Sequence, residues 1–232
     1  MLVVLSALLT SGAATVRADI DDPGSSLVVN HAYCSQDIAD MFITGRATSN
    51  VHDAGADVSG ELGLRGVAVR SRVGLLLLFE WHDLVRVGDN LKSPLLPVWV
   101  VCSESHYSVL FQSCGQGCDD LPLMLHYYDG LARQATPISL LLTRGSEQNA
   151  LLASRGGGAS AATADLPPLE CVIHTRWPAA AVDWNGTEPI LQVHALPPCR
   201  HDFPPNTRTR FTASLRPNLA VLCVASVMPA RS

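Results

Sequence analysis

One lysine, Lys92, occurs in the 232 residues, and the other basic residues are all arginine. Charged residues of both signs make up only 16% of the chain, and the net charge is −5. No basic patch of the kind that neutralises phosphates is on offer, so the composition gives no footprint for a nucleic-acid partner. Aromatics are scarce at 6%, yet hydrophobic residues reach 47%. That excludes a wholly disordered chain and allows one substantial core, or one core and a tail. Long apolar runs are missing as well. The stretches at 1–9 and 73–81 fall well short of the roughly 20 residues that cross a bilayer, so no membrane partner is expected.

Other absences narrow the chemistry. The sequence holds no phosphate-binding loop, no dinucleotide glycine signature, no H-E-x-x-H and no G-x-S-x-G nucleophile elbow. It has no internal repeat. Seven cysteines, an odd number without regular spacing, argue against a disulfide framework and for free thiols in a reducing, cytoplasmic or nuclear, compartment. Cys114 and Cys118 form one half of a zinc site, but no second pair at ligand spacing follows, so that segment reads as a loop and no metal is expected. The apolar N-terminus has no Lys or Arg ahead of it, so the charged leader region of a secretory signal is lacking, although Val16-Arg17-Ala18 has the look of a cleavage site. Leu2, Leu5, Leu8 and Leu9 equally suit the buried face of a helix. Asn185-Gly186-Thr187 is a formal glycosylation triplet with little meaning unless the chain is secreted.

What is present reads as a mixture of helix and strand. A turn over 19–26 precedes a helix whose apolar positions are Ile38, Met41 and Phe42, with Ser35 as N-cap and Gly45 closing it in the left-handed conformation. Residues 51–63 read as a loop and 64–69 as a short strand. The apolar segment 73–81 favours helix, being rich in Leu and poor in β-branched residues. A strand and turn are expected over 85–91, then strands over 98–102, 106–111, 123–128, 138–142 and 171–175. Residues 145–166, with Gly-Gly-Gly and an Ala/Ser run, predict a mobile insertion. Residues 192–218 have no period, and 219–228 form a lone apolar patch.

The chemistry concentrates at the turn between two strands, in Val101-Cys102-Ser103-Glu104-Ser105-His106. A histidine at the head of a strand is held rigidly, and as a neutral imidazole it can take a proton from a thiol and return it to a leaving amine. Alternation puts His106, Ser108 and Leu110 on one face and Tyr107, Val109 and Phe111 on the other. Cys34, at a helix start, is placed where the helix dipole favours thiolate; it also suits a small buried side chain. Cys102 reads as core. Asp129, Asn185 and Glu104 are candidates for a third residue orienting the imidazole, although Asp129 and Asn185 also fit as turn formers.

Several words of the chain resemble the MINDY family of deubiquitinases, in its branch with the longer catalytic domain. They are Asp21-Asp22-Pro23, His31 to Gln36, Thr44 to Val51, Val87 to Pro94, Trp99 to Phe111, Tyr127 to Ala132, Pro168-Leu169-Glu170 and Trp184 to Leu191. The likeness spans residues 1–191 and stops before the tail of 192–232. It implies an α+β, partial papain-like cysteine protease domain, with the insertion at 145–166 and an irregular C-terminal tail. It implies hydrolysis of isopeptide bonds in polyubiquitin, in chains joined through lysine forty-eight, with ubiquitin and polyubiquitin as partners and no metal or organic cofactor. The family's catalytic histidine falls on His106. The family's nucleophile lies in a Pro-Cys-Gly-type segment that has no counterpart here, and Cys34 matches a different position. The chain is therefore expected to be the C-terminal portion of the catalytic domain, begun at an internal methionine and inactive alone. A ubiquitin-binding pseudoenzyme and, more remotely, a secreted glycosylated binding domain are the alternatives.

Overall fold

The computed structural model describes residues 2–29, 33–55, 64–103, 106–112, 120–132, 134–145 and 166–189. The expected insertion (apart from its ends), the Cys114 and Cys118 pair, Glu104, the tail and its apolar patch lie outside these residues.

Two helices, α1 (Leu2–Ser11) and α2 (Ala13–Asp19), open the chain, and α3 (Gln36–Thr44) packs against α1. Between them β1 (Val28–Val29) and β2 (Tyr33–Cys34) form a small antiparallel ladder. Gly45 ends α3 at φ 81°, in the left-handed conformation expected, with its N–H donating to Met41 O at 2.9 Å. Ser35 stands at the N-cap, but its hydroxyl makes no capping bond and is buried without a partner. Val16, Ile20, Cys34, Ile38, Ala39, Met41 and Ala47 form the core of this region. Two apolar positions expected inside stay outside: Leu5 and Leu9 of α1 are 53% and 75% exposed. Phe42 is exposed as well.

A six-stranded sheet makes the rest. Its strands are β3 (Gly74–Leu77), β4 (Val98–Ser103), β5 (His106–Gln112), β6 (Leu123–Tyr128), β7 (Ile138–Arg144) and β8 (Ala180–Asp183), adjacent in that order. The β3–β4 pair is parallel and all the others are antiparallel. One-turn helices α4 (Leu78–Trp81) and α5 (Asp89–Lys92) lie in the β3–β4 crossover, and α6 (Pro168–Arg176) leads into β8. On one face Trp99, Val101, Leu110, Leu123, Leu125, Tyr127, Leu140 and Leu142 share a core with Leu169, Val172, Ile173 and Trp177 from α6 and its end. The Trp99 and Trp177 rings meet edge to face, 5.2 Å between centroids. On the other face Leu75, Leu77 and Cys102 gather Val51, Val67, Val87 and Leu91. Tyr107 touches this core and the helical one.

Four expectations are corrected here. Residues 73–81 are a strand running into one helical turn, not a helix. Gly74 lies so close to the Trp99 ring and the Leu91 carbonyl that a Cβ would strike both. The Leu run, though on the edge of the sheet, is parallel to β4 and buried on both faces, as strands in parallel pairings tend to be. Residues 171–175 are helix, not strand. Pro168 stands in the first turn, Glu170 follows it, and Arg176 ends the helix, each where the backbone or the helix dipole favours it. Leu169, Val172 and Ile173 then make one apolar stripe. The 64–69 stretch forms only an isolated bridge, Asp53 with Val67. Residues 85–88 are irregular and lead into α5, whose first N–H groups, on Asp89 and Asn90, both donate to the Asp53 carboxylate at 2.9 Å. Gly88 is required there, since a Cβ would meet that carboxylate.

Much of the recurrent wording of the sequence is polar stitching of this kind. Ser49 Oγ donates to Asp37 at 2.6 Å, Asn50 Nδ2 to Asp21 at 2.8 Å, and Arg46 pairs with Asp19. Trp184 Nε1 donates to Glu170 at 2.6 Å, joining the last two matching words. Lys92 Nζ lies 2.7 Å from Glu80 Oε1, with both side chains largely covered. Burial pushes the Glu80 carboxyl up, and Lys92 opposes that shift.

Candidate functional site

His106 begins β5, paired with Ser103 at the end of β4. The antiparallel register of β5 and β6 pairs Val109 with Tyr128. The chain leaving β6 therefore emerges beside the head of β5, and the first residue out is Asp129. Its Oδ2 lies 2.7 Å from His106 Nε2, and the two side chains are only 10% and 6% exposed. Oδ1 accepts the N–H of Leu131 at 2.9 Å and of Ala132 at 3.3 Å, which closes the turn. The N–H of Asp129 itself donates to Gln134 Oε1 at 2.8 Å.

This arrangement has a chemical consequence. A carboxylate is an acceptor, so the bond to Nε2 keeps that nitrogen protonated and leaves the lone pair on Nδ1. A ring so fixed can accept a proton at Nδ1 while Asp129 steadies the imidazolium. Beneath it, Ser108 is buried and hydrogen-bonded to the Tyr127 hydroxyl; burial raises the Tyr127 phenol and this bond opposes the shift.

Of the two orienting candidates among the described residues, Asp129 is the one found at the imidazole. Asn185 sits in a turn at φ 50°, its amide donating to Ser139 O at 3.1 Å. It is a turn former at the end of β8. Glu104 is outside the described residues. Gln134 drew no attention in the sequence; no local pattern marks a side chain that reaches back five residues to a backbone N–H.

None of the described thiols is an activated nucleophile for His106. Cys34 and Cys102 pack with Tyr107, on the face of β5 opposite to His106. Burial pushes the Cys102 thiol up to about 12. Cys171, on α6, is buried with Sγ 3.9 Å from Leu166 O, and burial pushes it up to about 11. The Cys102 and Cys171 thiols therefore hold their protons at neutral pH. A cavity of about 560 Å³, lined by Asp89, Ser93, Leu121, Arg176 and Trp177 among others, lies toward the opposite end of β4 and does not include His106. Among the described residues, no cluster of His, Cys, Asp and Glu is placed to hold a metal, and no helix is long and apolar enough to cross a membrane.

Comparison with known proteins gives this pair its context. The family model described as "Deubiquitinating enzyme MINDY-3/4, conserved domain" matches residues 1–186. The chain belongs to the MINDY-3/4 family. It is 40% identical over 200 residues to the mouse protein named "Probable ubiquitin carboxyl-terminal hydrolase MINDY-4", covering 82% of this chain and 26% of that one. To the human protein of the same name it is 39% identical over 204 residues, covering 82% and 25%. To human "Ubiquitin carboxyl-terminal hydrolase MINDY-3" it is 37% identical over 112 residues, covering 48% and 25%. The chain thus spans about a quarter of the length of these MINDY relatives. No solved structure matches it.

Proposed function

We propose that this chain is the histidine-bearing part of a thiol-dependent ubiquitin isopeptidase, with His106 as general base and acid and Asp129 as the residue that orients it. The buried 2.7 Å contact between the two carries this reading. A His–Asp pair at a sheet end, with the Asp on Nε2 and Nδ1 left as proton acceptor, is the half of a papain-like triad that does not include the thiol. In this reading the thiol comes from outside the described residues. Its proton passes to Nδ1, and the thiolate attacks the carbonyl of ubiquitin's terminal glycine. The imidazolium then protonates the departing lysine amine, and water hydrolyses the thioester. Polyubiquitin joined through lysine forty-eight is the proposed substrate, and the cytoplasm or nucleus the proposed location.

The test is cleavage of lysine-forty-eight-linked ubiquitin chains by the longer protein that carries these residues. His106→Ala is expected to lower kcat by roughly 10²–10⁴-fold, the usual worth of a positioned acid–base group, and Asp129→Ala by somewhat less. Unchanged turnover in His106→Ala would sink the assignment. A second reading, a ubiquitin-binding pseudoenzyme, is favoured by the state of the described thiols, all buried and none aimed at His106. It predicts equal ubiquitin binding by the wild type and His106→Ala, with no turnover by either.

A further inference from the structure

We infer that Gln134 is a positioning residue of this site, holding Asp129 where its carboxylate meets His106. The inference rests on the reading of His106 and Asp129 as the working pair. β6 loses its strand partners just before the aspartate: the ladder to β7 ends at Tyr127 and the ladder to β5 at Tyr128. The N–H of Asp129 is therefore the first beyond the sheet, on a residue that is 5% exposed. A buried N–H left without an acceptor is costly, and a chain released there is free to turn about its last hinge. Gln134 meets this need with its side-chain oxygen, 2.8 Å from the Asp129 nitrogen.

The bonds around Asp129 divide the work. Those from Leu131 and Ala132 to Oδ1 set the carboxylate relative to the turn that follows. They do not set that turn relative to β5, where His106 is. The bond from Gln134 acts instead on the Asp129 backbone, at the point where the chain leaves the sheet. Without it, the turn and its carboxylate shift together and the 2.7 Å contact to Nε2 lengthens. An error of about 1 Å in such a contact is enough to lose much of its effect.

The experiment uses the full 232-residue chain and follows the His106 Nε2 proton by NMR, through its exchange with water. Gln134→Met keeps the length of the side chain and removes the acceptor; Gln134→Glu keeps an acceptor oxygen. The Nε2 proton is expected to exchange about tenfold faster in Gln134→Met, the factor for losing one hydrogen bond, and at close to the wild-type rate in Gln134→Glu. The Leu125 and Leu140 amides, inside the sheet, should keep their protection in both. The proposal is overturned if Gln134→Met leaves the Nε2 proton as protected as in wild type while the Asp129 amide opens. Gln134 would then merely close a turn. Equal loss in both variants overturns it too, since the acceptor would not be what matters. If Gln134→Met does not fold, Gln134→Asn, which shortens the reach by one methylene, is judged by the same criteria. Cleavage does not enter this measurement. A failed isopeptidase assignment and a failed positioning role are thus told apart.

Discussion

His106 and Tyr107 are neighbours in sequence and point to opposite sides of one strand, into two different kinds of polar burial. On the His106 side, the imidazole Nε2, both carboxylate oxygens of Asp129 and the Asp129 N–H all have partners within 3.3 Å. Among the groups near the imidazole, the Ser103 hydroxyl is an exception, buried without a partner. On the Tyr107 side the opposite holds. The Tyr107 hydroxyl meets the Cys102 thiol, a weak hydrogen-bonding group, and one carboxylate oxygen of Asp40 and the Ser35 hydroxyl are buried without partners. Burial raises the Tyr107 phenol, and the neighbouring Cys102 thiol adds to the shift. Asp40 is driven well above the ordinary carboxylate range by burial; Asp37 adds to this, and Gln36, whose amide donates at 2.8 Å, opposes it. Burial of polar groups therefore does not by itself mark a working site. The pair proposed to do chemistry is the one whose geometry is determined by bonds and which lies at the end of a sheet. The cluster between α3 and β5 is a conflict left inside a core, and its cost falls on stability.

That contrast can be broken from either side. The largest effect should come from the well-satisfied face. Trp99→Ala empties a site that is 0% exposed, removes the Nε1–H bond to Lys92 O at 2.9 Å and takes away the edge-to-face partner of Trp177. A loss of about 3–5 kcal/mol is expected in urea unfolding. A loss below 1 kcal/mol would mean that this face is not the main core.

Asp40→Asn should act in the other direction. A carboxyl whose pKa is raised in the folded state favours folding below its unfolded value, about 4. It loses that advantage as pH climbs toward the folded value. The wild type should therefore lose stability with rising pH on account of this group. The Asn variant, which cannot ionise, should be more stable by roughly 1–3 kcal/mol at neutral pH, the range for an unsatisfied buried group. Urea midpoints compared from pH 5 to pH 8 check this; a difference that does not grow with pH contradicts it.

Tyr107→Phe removes a buried hydroxyl whose hydrogen bond is to the weakly accepting Cys102 sulfur. It should leave stability unchanged or raise it by up to about 1 kcal/mol, while the exchange of the His106 Nε2 proton stays as it was. Movement of that proton would show that the two faces are coupled. Ser35→Ala should be the mildest. An N-cap serine usually contributes about 1 kcal/mol, but this hydroxyl makes no cap bond, so the melting curve is expected to move by less than about 0.5 kcal/mol.

The sheet around His106 was largely readable from the chain because its strands carry their own signals. The alternation over 106–111 and 123–128 and the bounding turns match β5 and β6 closely, and α3 shows both its cap position and its terminal glycine. β3 was not readable. Four leucine-rich residues are strand only because β4 lies beside them and Trp99 needs the space at Gly74, and no local window contains that fact. α6 was missed for a different reason. Its helix-start residues are present, but its β-branched and cysteine content drew attention to strand. For the site, His106 was legible by position, whereas Asp129 and Asn185 looked alike, each an acidic or amide side chain before a glycine. The register between β5 and β6 brings Asp129 to the imidazole, whereas the β7–β8 pairing leaves Asn185 bonded to Ser139 on β7.

The Lys92–Glu80 pair has a consequence beyond folding. Isopeptide tagging proceeds through lysine amines, and this chain carries one, clamped to a carboxylate 2.7 Å away with 17% of its side chain in contact with solvent. Its exterior is in effect stripped of nucleophilic side-chain amines. A polypeptide that belongs to a family of tag-removing enzymes thus offers almost no handle by which it could itself be tagged. Lysine-specific proteases should pass over the folded chain for the same reason.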